Sequence, residues 1–139
     1  MKNIVVIDGQ GGGIGRQLVA KLRELVPDAR ITAVGANCSA TNAMLKAGAS
    51  SGATGENAVI VACRRADVIA GPVGIVIADS LGGEVTPPMA VAVAQSPAKR
   101  VLLPFNFCDN IIVGVADYNV AHLVQEAVDE IVRICGTES

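Results

Sequence analysis

The chain has no tryptophan, two phenylalanines and a single tyrosine in 139 residues. So few aromatics offer no platform on which nucleic-acid bases could stack. Positive charge is not in surplus either, because 11 Lys and Arg face 13 Asp and Glu for a net charge of −2. No basic field draws a polyanion, so nucleic acid is not an expected partner. His122 is the only histidine and has no carboxylate at ligand spacing, which argues against a metal site and against a Ser-His-Asp arrangement. Cys38, Cys63, Cys108 and Cys135 form no C-x-x-C pair, and this removes a zinc ribbon and a thioredoxin-like motif. Long apolar runs are missing too. The longest, "VIAGPVGIVIA" (68–78), is broken by one proline and two glycines and flanked by Asp67 and Asp79, too short to span a bilayer. A strand that starts within two residues of the N-terminus leaves no room for a signal peptide. The expected setting is reduced, soluble and cytoplasmic.

What is abundant is small and aliphatic. Hydrophobic residues make up 51% of the chain, charged residues 17%, and there are 15 glycines. A core of Val, Ile, Leu and Ala suits a parallel sheet with both faces covered by helices. The length allows one self-sufficient core, so residues 1–139 are expected to be a single domain.

Patterning fills in the elements. "KNIVVID" (2–8) and "ARITAVG" (29–35) are β-branched runs that read as buried strands. Between them 13–25 repeats apolar residues at the helical period, and Pro27 ends it. Residues 39–49 read as a short helix with Ser39 as cap and Gly48 near its stop. "SSGATG" (50–55) reads as a loop, followed by a helix at 56–65 and a third strand at 66–71. Segment 74–82 fits either a strand or a helix, with helix preferred. Thr86 and two prolines open a helix at 86–95. A fourth strand is expected at 99–105 and a fifth at 110–116, turned back antiparallel at a sheet edge. The closing helix, 119–134, is capped by Asp117 or Asn119, with Gly136 after its end. Strands alternating with helices predict an α/β, Rossmann-like, doubly wound and mostly parallel sheet of about five strands, its order open between two arrangements.

Directly behind the first strand lies "IDGQGGGIGRQ" (7–17), with the spacing G9-x-x-x-G13-x-G15. Glycines remove the β-carbon so that backbone N–H groups can approach a phosphate, and the following helix adds the positive end of its dipole. The alternative is a tight strand-to-helix turn with no ligand. Over residues 4–20 the stretch resembles the nucleotide loop of the short-chain dehydrogenases. It departs from G-x-G-x-x-G, because Ile14 stands where a glycine is required. The second strand also ends without the acid that holds a ribose or an arginine for a 2′-phosphate. The Tyr-x-x-x-Lys pair of those enzymes is missing as well: Tyr118 is followed by His122 at the lysine place, and the chain is about half their length.

In a doubly wound sheet ligands bind outside the carboxyl ends of the strands. Those ends carry "DGQGGG" (8–13), "GANCSATN" (35–42), "GPVG" (71–74) and "PFNFCDN" (104–110). The candidate binding residues are therefore Asp8, Gly9, Gln10, Gly11, Gly12, Gly13 and Ile14, then Asn37, Ser39, Thr41 and Asn42, then Gly71, Pro72 and Asn106. Asp8 either faces the rim or caps the glycine turn through backbone N–H groups. Thr54, Glu56 and Asn57 either fold over a ligand or start a helix with Thr54 as cap. Cys38 and Cys108 are nucleophile candidates on loops, or small buried thiols. Asp79 and Glu84 flank "SLGG" as a general acid or base, or belong to a solvated loop. Glu126, Asp129, Glu130 and Arg133 form a solvated face.

At "VIDGQGGGIG", "NAMLKAGASSGATGENA" (42–58) and "DVIAGPVGIVIADSLGGEVTP" (67–87), the chain resembles a family of small bacterial proteins frequent in anaerobic Firmicutes. That family is catalogued as a domain of unknown function, and the resemblance implies a cytoplasmic bacterial protein without implying an activity. Three readings follow from the residues. The first is a non-catalytic or sensing module for a phosphate-bearing ligand, NAD(P) or an adenine nucleotide. The second is a small enzyme on a phosphorylated or acyl metabolite using Asp8, Cys38, Asn106 or Cys108. The third is a scaffold, in which the apolar residues of the last helix (Val120, Leu123, Val124, Val128, Ile131, Val132) form a homo-oligomer interface.

Overall fold

The computed structural model describes residues 2–105 and 108–136. Its centre is a five-stranded sheet in the order β3-β2-β1-β4-β5, with every pairing parallel. The strands are β1 (Asn3–Asp8), β2 (Arg30–Gly35), β3 (Ser51–Thr54), β4 (Val68–Pro72) and β5 (Lys99–Leu103). The helices are α1 (Gly13–Leu25), α2 (Cys38–Lys46), α3 (Glu56–Arg65), α4 (Pro87–Gln95) and α5 (Val120–Gly136). This is the doubly wound α/β arrangement, and it settles the strand order.

Alternation along β1 explains the layering. Ile4 and Val6 point into one apolar cluster with Leu18, Leu22, Met44, Val128 and Ile131, from α1, α2 and α5. Val5 and Ile7 point into the other, with Val59, Met89 and Val93 from α3 and α4. Successive side chains of a strand face opposite ways, so a central strand buried on both faces must be apolar at every position. The chain winds outward from β1 to β3, crosses back, and winds outward again from β4 to β5. The crossovers therefore diverge between β1 and β4, beside the turn that follows Asp8.

Several expectations are corrected. Residues 51–54 form β3, a parallel edge strand in register with Thr32–Gly35. All four are exposed, so burial imposed no apolar pattern there to read. Residues 110–116 form no strand. Cys108 and Asp109 turn the chain at positive φ of 47° and 60°, no ladder forms, and Ile111 and Val113 are 88% and 90% exposed. Segment 74–82 is neither helix nor strand beyond a short 3-10 turn at Val73–Val76. Asp79, Leu81 and Gly82 have positive φ, which no α-helix accommodates. Asn37 rather than Ser39 caps α2, its Oδ1 accepting the Ala40 N–H at 2.9 Å. Gly55 rather than Thr54 precedes α3. Asn119 Oδ1 accepts the His122 N–H at 3.0 Å at the start of α5, and Gly136 is that helix's last residue. The stripe on α5 expected to meet another subunit instead faces the core, where Val124, Val128 and Ile131 are buried. Among the described residues, no helix is long and apolar enough to cross a membrane.

Candidate functional site

The turn after β1 is held by carboxylates. Asp8, 3% exposed, accepts the Gly9 N–H on Oδ1 at 2.8 Å and the Gly15 N–H on Oδ2 at 2.7 Å. It thereby stitches the end of the strand to the first turn of α1. Burial pushes its carboxyl above the usual range, an effect opposed by the hydrogen bonds from Gly15 and Gly9 and reinforced by the negative charge of Glu84. Glu84 reaches in from the loop before α4. Its Oε1 accepts the Gln10 N–H at 2.6 Å and its Oε2 the Asn37 Nδ2 at 2.8 Å. Asn37 Nδ2 also donates to the Gln10 carbonyl at 2.9 Å. Three loops, those after β1, β2 and β4, are thus tied together through one carboxamide and one carboxylate.

The glycines divide by purpose. A Cβ on Gly9 would lie 2.7 Å from both Glu84 Oε1 and Leu81 Cδ2, and one on Gly15 would lie 2.5 Å from Met44 Sδ. Gly12 has φ 73° and packs against Ala40. These three are close-packing glycines. Gly11 and Gly13 are exposed, and a Cβ on either would meet nothing within 4 Å. The N-cap residue of α1, Gly12, has no side chain to offer the helix, and among the described residues the N–H groups of Gly11 and Gly13 have no hydrogen-bond partner. Arg16 stands exposed in the same first turn.

The remaining candidates are placed differently. Thr41 is turned inward, its hydroxyl bonded to Thr54 Oγ1 at 2.7 Å and accepting the Gly35 N–H at 3.1 Å. Ser39 and Asn42 lie exposed on α2. Gly71 and Pro72 are buried in β4, where the Ile7 carbonyl leaves no space for a Cβ on Gly71. Asn106 lies outside the described residues. Glu56 is engaged by the Thr86 hydroxyl at 2.6 Å, and Asn57 is exposed beside it. Cys38 and Cys108 are exposed rather than buried, whereas Cys63 is buried and its thiol is pushed up to about 11. His122 lines a cleft of about 430 Å³ between β5 and α5, to which no residue of the glycine turn contributes. Glu84, read as part of a solvated loop, is half-buried and bonded into the turn, and neither it nor Arg16 was among the expected binding residues. No local pattern marks Glu84, because its partners are 74 and 47 residues away.

A family profile described as "Domain of unknown function (DUF3842)" matches residues 3–136. No curated protein gives a significant match. Among solved structures, the chain is similar to a dodecameric FMN-dependent UbiX-like decarboxylase from Escherichia coli O157:H7. The identity is 18% over 94% of each chain, with a TM-score of 0.48.

Proposed function

We propose that this chain, which belongs to the DUF3842 family of domains of unknown function, binds a phosphate-bearing small molecule, a nucleotide or dinucleotide, at the carboxyl edge of its sheet. The observation that carries the reading is the pair of unpartnered, uncovered N–H groups at Gly11 and Gly13, at the start of a 13-residue helix whose N-cap is a glycine. Such groups, with the positive end of the helix dipole behind them, suit an anion. Support for a sugar beside the phosphate comes from Glu84. Its Oε2 sits on Asn37, just past β2, so a carboxylate stands close to where an acid at the end of that strand would hold a ribose.

The role is binding or sensing. Asp8 is already committed to two backbone N–H groups. A thermal-shift series with AMP, ADP, ATP, NAD, NADP, FMN and coenzyme A tests the reading. A ligand at 100 times its Kd adds about 2.7 kcal/mol of stability. The control is Gly13→Asp, which has space for its side chain. A carboxylate in the first turn favours the helix while repelling phosphate. Stabilisation by one class of compound, lost in Gly13→Asp, is the expected result. No shift with any compound, or a shift that survives Gly13→Asp, refutes binding at this turn.

A further inference from the structure

The sheet is incompletely covered on the α3 side. Parallel register sets Asn3 and Val5 of β1 beside Arg30 and Thr32 of β2, and Thr32 and Val34 beside Ser51 and Ala53 of β3. These positions alternate along their strands, so their side chains share one face. Opposite them α3 presents Ala58, Val61, Ala62 and Arg65, the spacing of one helical side. Its two alanines are too short to close the gap, and a groove of about 500 Å³ lies between helix and sheet. The groove has a direction. Asn3 Nδ2 donates to the Arg65 carbonyl at 3.1 Å, which holds the last turn of α3 at the amino end of the strands. Arg30 is the β2 residue in register with Asn3, so two arginines flank one residue at that end. The other end is apolar, lined by Val34, Ala53 and Ala58. From Arg30 to Val34 is four residues of strand, about 13 Å.

We propose that this groove binds a small aliphatic carboxylic acid, its carboxylate between Arg30 and Arg65 and its chain lying along Val61 and Ala62 toward Ala58. The occupant follows from charge complementarity. Arg30 and Arg65 are the charged residues that line the groove, and no carboxylate does. Both are exposed, and among the described residues neither guanidinium has a hydrogen-bond or ion-pair partner. Asp67 accepts the Asn3 N–H at 2.7 Å but neither lines the groove nor pairs with these arginines. A basic last turn suits the dipole of α3 by itself, whereas Arg30 opens a strand and has no such reason to be cationic. The planar guanidinium fork matches a carboxylate in geometry as well as charge. Cations at one end and apolar side chains at the other fit one anionic head on an apolar chain, and not a polyanion.

Titration of the isotope-labelled full chain with octanoate, followed by amide NMR, tests this. Saturable shifts are expected at Thr32, Ser51 and Ala62. Acetate, which lacks the chain, and octylamine, which reverses the charge, are expected to leave those amides unmoved at the same concentration. The double variant Arg30→Gln/Arg65→Gln is expected to weaken octanoate binding at least about tenfold. Arg64→Gln removes the neighbouring exposed cation, which does not line the groove, and is expected to bind octanoate as the wild type does. All three arginines are exposed, and circular-dichroism melting checks that each variant is folded. The absence of saturable shifts overturns the proposal. So do equal shifts with octylamine, undiminished binding in the double variant, or an equal loss in Arg64→Gln, which would reduce the effect to general surface charge. No residue of the glycine turn lines this groove, so each outcome is separate from nucleotide binding.

Discussion

At the scale of the residue, five glycines in seven positions, from Gly9 to Gly15, do unlike things. Three are small because Glu84, Leu81, Ala40 and Met44 come too close for a β-carbon, and two are small with nothing near them. Only the second pair speaks to a ligand. Asp8 is the residue on which the turn's stability depends most directly on pH. Burial raises its folded-state pKa above the unfolded value, hydrogen bonds notwithstanding. The folded state therefore binds the proton more tightly, and stability falls with rising pH wherever that holds. The contribution is fully present below the unfolded value of about 3.9 and is lost as pH rises through the raised folded value. Asp8→Asn removes this titration. Melting wild type and Asp8→Asn from acid to neutral pH should show the wild type losing ground relative to the variant as pH climbs from 4. A wild type that gains ground over that interval has the opposite sign and would refute the assignment.

At the scale of the element, what could be read ahead was whatever repeats locally. The 13–25 and 56–65 helices coincide with α1 and α3 because apolar spacing and a terminal Pro or basic turn mark them within the segment itself. The glycine turn was legible for the same reason. β3 was not, since a four-residue exposed edge strand shows its place only through Thr32–Gly35 alongside. Nor was the loop 77–86, which is pinned by the Ser80 hydroxyl donating to the nearby Gly74 carbonyl and by Glu84, which reaches the distant turn after β1. A strand such as 110–116, assigned from β-branched residues alone, fails when no ladder receives it. The junction between β3 and α3 carries its own test. Gly55 sits at φ 102° and ψ 179°, a region essentially closed to residues with a β-carbon. It donates to the Gly35 carbonyl at 2.9 Å and accepts the Val59 N–H at 3.1 Å. A Cβ there would touch nothing within 4 Å, so Gly55→Ala isolates backbone strain from packing. Urea denaturation should show a loss of about 1–3 kcal/mol. A change below about 0.5 kcal/mol, the ordinary size for a surface substitution, would mean that the junction relaxes to a different backbone.

At the scale of the whole molecule, two apolar layers clasp one sheet, and the long connections differ in how firmly they belong to it. The loop between β4 and α4 is anchored at several points. Leu81 and Val85 are buried, and the Asp79 N–H donates to the Val85 carbonyl at 2.7 Å. In the connection between β5 and α5, residues 108–118 are far less buried. From Cys108 to Tyr118 only Ile112 and Val115 are even partly buried, and Ile111 and Val113 present their side chains to water. Proteolysis of the native state reports local opening, which is least costly where few buried contacts must be broken. A protease selective for aliphatic residues should therefore cut first beside Ile111 or Val113, leaving the 77–86 loop intact. The nicked halves should stay together, because α5 packs on α1 and β5 and keeps Val128 and Ile131 fully buried in the shared core. Co-elution of two fragments on gel filtration, separating only in denaturant, is the expected pattern. An initial cut between residues 77 and 86 would show instead that the tie from Glu84 to Gln10 and Asn37 opens more readily than its hydrogen bonds imply.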